Sequence, residues 1–353
     1  MRVAVVQPTL MRYRLPVFAE LARRPGVRVK VFHGDVSGPS VAAEGFEAQR
    51  VRMTTRRLLG EPLYRRPRQR ELAAGRGFDV LVMNWDVHDL DLVPSLLAAR
   101  RAGVGTVLWG HGTSGRDGSI LGRLKRAVAR LADTLVLYEP ATAARYRAAG
   151  LRAFAAPNTV RAPDAPPPVA RGDGPLRLLA CTRLVEARRL DVLLRAVRDV
   201  RDVTLTIVGD GPARPGLERL TADLAIGFRV DFRGAEYDDA RLAELHAAAD
   251  VYAHPAHLGL SALSAMGHGL PVVAGDDPDR HGPEARCVVD GGTGLRFRHD
   301  DPAALAETLR RLRDDEPLRL RLATNAYRFV HEERTVPRMV DGLVAAIRSA
   351  ASR

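Results

Sequence analysis

Lysine is nearly absent from this chain, and cysteine almost as scarce. Only Lys30 and Lys125 interrupt a positive charge otherwise carried by arginine, a skew that reflects coding bias rather than function. The two cysteines, Cys181 and Cys287, stand far apart in sequence. They suggest neither a disulfide framework nor a metal-ligand pattern, so buried free thiols beside strands in a reducing cytosol are expected. No uninterrupted apolar stretch is long enough for a membrane-spanning helix. The opening residues MRVAVVQPTL read as a first strand, not a signal peptide. The sequence also has no Gly-x-x-x-x-Gly-Lys-Ser/Thr phosphate loop, no Gly-x-Ser-x-Gly elbow and no paired His or Cys spacing for a metal. Gly103-Val104-Gly105 precedes its strand and is no dinucleotide fingerprint. Aromatics are only 5% of residues and are not interleaved with basic motifs, so nucleic acid is not an expected partner.

What is present points to a globular α/β protein. The chain has 353 residues, 46% of them hydrophobic, enough for two domains with substantial cores. Its net charge of +12, with clusters at Arg65–Arg70 and Arg123–Arg130, suits a polyanionic small ligand or an anionic membrane surface carrying a lipid-linked substrate. A merely solvated surface is the plain alternative. Strands read at Val3–Val6, Val27–Phe32, Asp79–Met83, Thr106–Trp109 and Thr134–Leu137. Between them helices read at Leu15–Arg23, Leu92–Arg101, Ile120–Leu131 and Ala141–Ala149. Asp35–Gly77 is arginine-rich and shows no readable element. Residues 162–175 carry five prolines and two glycines and read as a linker. After it the alternation restarts with strands Leu176–Cys181, Val203–Val208 and Val230–Phe232 and helices Leu190–Val200, Leu217–Leu224 and Leu242–Ala249. Such alternation predicts doubly wound parallel sheets. The expected domains are residues 1–161 and 176–335, joined by 162–175, with a last helix in 336–353 that could return to the first. A ligand cleft is expected between them, at the carboxyl ends of both sets of strands.

The stretch Asp250–Ala274 reads as strand, Pro- and Gly-containing loop, helix and strand. Backbone N–H groups of Gly259 to Ala262 at the helix start favour an anion such as a diphosphate, although any α/β protein has such turns. Four further polar groups fall at strand ends. Thr182 and Arg183, with Arg188 and Arg189 just beyond, place paired cations on one loop, suited to a diphosphate or equally to a charged helix start. Gly209-Asp210-Gly211-Pro212 lets a ligand approach the backbone, or makes an ordinary turn. His111, between two glycines, is reachable, though a lone histidine is more often structural. His281-Gly282-Pro283-Glu284 precedes Cys287–Val289, with a simple helix cap as the plain alternative for Glu284.

As an ordered set these pieces resemble the donor-binding half of family-4, GT-B fold, nucleotide-sugar-dependent retaining glycosyltransferases. The resemblance covers most of residues 176–315. Thr182 to Arg188 matches the family's Gly-Arg-Leu-x-x-x-Lys element, Val208 to Pro212 its VGDGP turn, and Phe232-Arg233-Gly234 and Asp250–Pro255 the next two strands. Gly259-Leu260, Ala265-Met266 and Gly269 to Val273 match its GL…EAM…GLPVV segment, and Glu284 with Asp290 to Gly294 its E…DGxTG. In the first half the likeness is thinner, resting on Tyr13 to Pro16, Gly110-His111-Gly112 and Ala156-Pro157-Asn158.

The resemblance implies an α/β, GT-B architecture of two Rossmann-like doubly wound domains facing a central cleft. It implies a metal-independent retaining enzyme that moves a sugar from a nucleoside diphosphate to an acceptor hydroxyl, with the nucleotide-sugar as co-substrate and no other cofactor. Arg183 and Arg188 would hold the diphosphate and stabilise the leaving charge, joined by the amides of Gly259 and Leu260. His111 would contact the donor sugar or its phosphate, and backbone around Gly234, Ala235 and Glu236 the base. Thr182, Gly209, Gly211, His257, Ser261, Ser264 and Glu284 complete the donor set. Arg12, Tyr13, Arg14, Asn84, Asp86 and His88, with Arg56–Arg70, would receive a small-molecule or lipid-linked glycan acceptor. Two glutamates usual in the family are replaced here by Ala256 and Ser264, and Arg188 stands for the usual lysine. A cytoplasmic enzyme is expected, with peripheral association at the inner membrane face as a variant. The rivals are a non-catalytic nucleotide-sugar or glycan-binding protein and a nucleotide-sugar epimerase of the same fold.

Overall fold

A computed structural model describes residues 1–36, 38–58, 61–112, 120–172 and 174–352. Leu59 and Gly60 of the Arg56–Arg70 segment and Asp173 of the linker lie outside the described residues. The chain forms two compact units, Met1–Arg161 with Val336–Arg353, and Ala162–Thr335.

The first unit opens with β1 (Arg2–Gln7), α1 (Leu15–Arg23), β2 (Arg28–His33), β3 (Glu47–Arg50), β4 (Thr54–Leu58), β5 (Glu61–Arg65) and α2 (Pro67–Ala74). It continues through β6 (Val80–Asn84), α3 (Leu92–Ala102), β7 (Gly105–Gly110), α4 (Ile120–Ala129), β8 (Thr134–Leu137), α5 (Pro140–Ala148) and β9 (Ala153–Ala155). Among the described residues seven strands pair in parallel in the order β3-β2-β1-β6-β7-β8-β9. The central strands are continuous apolar runs because helices cover both faces. Val80 to Met83 and all of β7 are buried. The chain's last helix, Val336–Ala351, packs on α1 and on β6 to β9. Its buried Met339, Val340, Leu343, Val344 and Ile347 recur at spacings of three and four, the stripe a helix needs to seat on a sheet.

The stretch Asp35–Gly77, unreadable from sequence, contains β3, the hairpin β4–β5 and α2. The hairpin is a separate two-stranded antiparallel sheet, and every residue of β4 is exposed. With neither face of that strand buried, its sequence carries no apolar alternation to read. A buried ion pair between Arg66 and Asp89 (3.2 Å) and the bond from Arg66 N to the Asp91 carboxylate (2.7 Å) fasten the hairpin's root to the loop after β6. Arg66 and Asp89 are both fully enclosed, and loss of either would strand a buried charge.

The second unit contains β10 (Leu176–Cys181), α6 (Leu190–Asp199), β11 (Val203–Val208), α7 (Arg214–Asp223), β12 (Val230–Gly234), α8 (Asp239–Ala248) and β13 (Val251–His254). It ends with α9 (Ser261–Gly267), β14 (Val272–Gly275), β15 (Gly294–Phe297), α10 (Pro302–Asp314) and α11 (Glu316–Arg328), after which the closing helix of the first unit is α12. Among the described residues its six parallel strands run β12-β11-β10-β13-β14-β15. Leu190, Leu193, Leu194 and Val197 of α6 are wholly enclosed with β10, β11 and α10. Each such side chain contributes about 1.5–3 kcal/mol by burial. Cys287, expected beside a strand, instead ends a 3-10 turn over Pro283–Cys287. Both thiols are free, Cys287 buried and Cys181 partly so.

Candidate functional site

Loops at the carboxyl ends of β10, β11 and β12 are laced together by backbone hydrogen bonds. Thr182 N donates to Val208 O (2.9 Å), Leu184 N to Asp210 O (2.9 Å) and Gly209 N to Gly234 O (2.7 Å). These bonds bring Thr182, Gly209, Gly211 and Gly234 into one patch. The close approach explains the glycines. A Cβ at Gly209 would overlap the carbonyl oxygen of Thr182, one at Gly211 that of Leu184, and both residues have positive φ. Ala235 is exposed beside them, and the Glu236 carboxylate accepts from the amides of Tyr237 (2.7 Å) and Asp238 (2.8 Å). Tyr237, 80% exposed, extends this edge and carried no sequence signal beyond its neighbourhood.

Arg183 is exposed, and among the described residues its guanidinium has no hydrogen-bond or carboxylate partner. Arg189 differs: it sits in the left-handed region and pairs with Asp191 (3.1 Å) and Asp300, so its charge is already answered. Arg188 donates through Nη1 to the carbonyl oxygen of His257 and has no carboxylate partner among the described residues. Partial burial holds its pKa below an ordinary guanidinium's. Two guanidiniums on one loop thus keep charge available for an anion.

Behind Arg188 lies Tyr252 of β13, fully enclosed, its hydroxyl donating to Cys181 O (2.8 Å). Burial raises its pKa. His254, next on the inward side, is buried with no partner for Nδ1, and burial with the nearby Arg188 charge pushes its pKa down to about 3. His257 is exposed and left-handed (φ 54°), its amide bound to Arg280 O (2.6 Å). The amides of Gly259, Leu260 and Ser261 carry no hydrogen bond among the described residues. Ala262, expected to share that role, instead donates to Gly259 O at 3.0 Å, because the first turn of α9 is tightened to i→i+3 bonds. Ser261 and Ser264 are half-buried and Ala256 is enclosed. The buried Glu284 places its carboxylate against Gly259 and Gly282.

In the first unit Asn84 ends β6, and Asp86 and His88 follow it. Asp86 accepts from His88 N (3.0 Å) and from its Nδ1 (2.9 Å), which leaves Nε2 directed elsewhere. His111, exposed after β7, packs its ring 4.6 Å from that of Tyr138. Arg12 is exposed and Tyr13 partly so. Arg14, expected to face an acceptor, is buried instead. Its guanidinium lies over Trp109 (4.5 Å), Tyr13 (5.0 Å) and Tyr138 (5.2 Å) and donates to the Tyr138 hydroxyl (2.7 Å). Aromatic faces replace water around this cation, which makes it a structural support under His111.

Residues 175–315 match the family model described as glycosyl transferases group 1. The lipopolysaccharide core biosynthesis glycosyltransferase LpsD of Rhizobium meliloti is 32% identical over 198 residues, 54% of this chain and 56% of that protein. A D-inositol 3-phosphate glycosyltransferase of Frankia alni is 36% identical over 171 residues, 44% of this chain and 40% of that protein. This chain spans about half the length of the curated relatives it matches. Among solved structures, Anabaena Alr3699/HepE in complex with UDP superposes with a TM-score of 0.72 at 18% identity, covering 99% of this chain and 100% of that one. A glycosyltransferase from Rickettsia africae reaches 0.72 at 12%, covering 100% and 99%. The fold is therefore GT-B, two Rossmann-like units each built on a parallel sheet.

Proposed function

We propose that the chain is a glycosyltransferase that transfers a sugar from a nucleoside-diphosphate sugar to an acceptor hydroxyl, with retention at the anomeric carbon and without a metal. The observation that carries this reading is the loop Thr182–Arg188. It presents two guanidiniums with no carboxylate partner among the described residues, beside glycine turns that bare the backbone, inside the segment matching the family model. Arg183 and Arg188 bind the diphosphate and stabilise the charge that builds on it as the sugar departs. The amides of Gly259 to Ser261 assist. Backbone at Gly234 to Glu236 is assigned to the base, and His111 to the donor sugar or its phosphate. Ala256 and Ser264 offer no carboxylate, so Glu284 is the group we assign to donor hydroxyls. The leaving phosphate oxygen takes the acceptor proton. UDP in the neighbours' complexes favours a uridine donor.

Arg12, Tyr13, Asn84, Asp86 and His88 are assigned to the acceptor. The relatives' names favour a lipid-linked glycan or a phosphorylated polyol. No helix among the described residues is long and apolar enough to cross a membrane. The segment 50–70 around the hairpin β4–β5 carries eight arginines, of which Arg66 is buried, against one glutamate, and this supports peripheral docking on an anionic bilayer from the cytoplasmic side. A thermal-shift panel of UDP, GDP, dTDP and their sugars tests the donor, since a ligand that binds only the folded state raises the melting temperature. Transfer unaffected by EDTA is expected. Binding with no turnover across a wide acceptor panel would favour a non-catalytic sugar-nucleotide binder, and an epimerised donor formed without acceptor would favour an epimerase.

A further inference from the structure

The two stretches of chain that join the units both bear on one turn within the second unit. The first, residues 162–172, does not hang free. A Cβ added to Gly267, the last residue of α9, would stand 2.6 Å from Pro163 Cδ and 3.3 Å from Val330 Cγ1, and one added to Gly269 would stand 3.0 Å from Pro168 Cβ. The Tyr327 hydroxyl donates to Ala165 O at 2.9 Å and holds the same segment from α11. The second stretch leaves α11 through a five-residue π-helix, Phe329–Glu333. Its His331 stacks on Tyr327 with centroids 4.0 Å apart and reaches Gly267 O through Nε2 at 3.0 Å. A π-turn is rare and frequently sits at a functional site. Pro163, Val330 and His331 thus meet on a residue that has no room for a methyl group.

The other end of α9 adjoins the loop that holds Arg188. This helix has seven residues, so only about 10 Å separates its ends. His257, in the loop before it, is a non-glycine residue held left-handed at φ 54°. Such backbone persists only while its surroundings fix it. The contacts to that residue's own backbone are Arg188 on the His257 carbonyl and the Arg280 carbonyl on its amide.

We propose that occupation of the arginine pair is transmitted through α9 to both connecting segments. A diphosphate takes Arg188 from the His257 carbonyl, and this left-handed residue loses one of the two hydrogen bonds to its own backbone. The short helix shifts as a rigid body, and the close-packed junction at Gly267 passes that shift to Pro163 and His331. The two states of the His257 loop supply the bistable element such coupling requires. This rests on the assignment of Arg188 to the diphosphate made above.

Hydrogen–deuterium exchange on the full chain with and without UDP tests it, with GDP and dTDP used should UDP fail to bind. The expected result is changed exchange in 255–262 together with 163–171 and 327–335. In Gly267→Ala the added methyl meets Pro163, and the nucleotide should still bind while the response of the connecting segments is lost. Pro163→Ala in the same chain should restore it. Should Gly267→Ala fail to fold, His331→Ala removes one contact without adding bulk and should abolish the response in 327–335. Nucleotide binding with exchange changes confined to 182–189 and 255–262 would overturn the coupling and leave the donor site standing. Failure of every nucleotide to bind would overturn the donor-site assignment and the coupling with it.

Discussion

At the scale of single residues, the proposed transfer depends on the charge of the Thr182–Arg188 loop. A diphosphate leaving group develops negative charge as its bond to the sugar breaks, and a guanidinium already in place stabilises that charge without reorganising. Loss of one such contact typically costs about a hundredfold in turnover. Arg183→Ala and Arg188→Ala are each expected to lower kcat by about that factor, while Arg189→Ala, whose charge is met by Asp191 and Asp300, should lower it far less. Steady-state kinetics on the three variants checks the contrast, and equal losses in all three would refute it. The sequence distinguishes these arginines poorly. Arg188 and Arg189 are adjacent and chemically identical, and only the fold turns one toward His257 and the other toward two acids. Arg14 shows the same limit. Nothing in Tyr13-Arg14-Leu15 says that its guanidinium lies under Trp109 and Tyr138 rather than in solvent.

At the scale of elements, legibility follows burial. The strands at Thr134–Leu137, Leu176–Cys181 and Val203–Val208 are read from sequence with the ends they have in the structure, because apolar residues that reach the core dominate each segment. Helix α10 shows a stripe at Leu305, Leu309 and Leu312 that sequence reading passed over among its arginines and acids. The hairpin β4–β5 has no such stripe to find. Its exposed Arg56 and Arg57 have no acidic partner among the described residues, and Leu58 is 61% exposed. Phospholipid headgroups contribute about 1 kcal/mol per basic residue near an anionic surface. The double charge reversal Arg56→Glu, Arg57→Glu should therefore weaken sedimentation with phosphatidylglycerol vesicles by at least tenfold. Melting temperature should hardly change, since the substituted side chains are exposed. Undiminished vesicle binding would remove the hairpin from any membrane role.

The molecule as a whole divides its pH sensitivity unequally between its units. His246, His254 and His281 all lie in the second unit. His246 is buried, stacked 4.5 Å from His268, and its Nδ1–H donates to Leu242 O at 2.6 Å; burial first, and then the His268 ring, bring its pKa to about 4. His254 falls to about 3 through burial and the Arg188 charge. His281 falls to about 4, again chiefly through burial, and its Nδ1 accepts the Leu258 N–H at 3.2 Å, a bond only the neutral ring can make. Each ring binds a proton more weakly in the folded unit than in the unfolded chain, whose histidines titrate near 6.5. Below that value the unfolded state takes up protons the folded state refuses. The stability these rings contribute is therefore complete above about pH 6.5 and drains away as pH falls toward 4. Both tryptophans, Trp85 and Trp109, are buried in the first unit. Acidification from pH 7 to 4.5 in moderate urea should thus reduce the circular dichroism of the chain while tryptophan emission still reports a folded environment. His246→Phe, which keeps a ring in the stack and removes the titration, should move the dichroism transition to lower pH. Coincident loss of both signals, unchanged by that substitution, would show that these histidines do not set the acid limit.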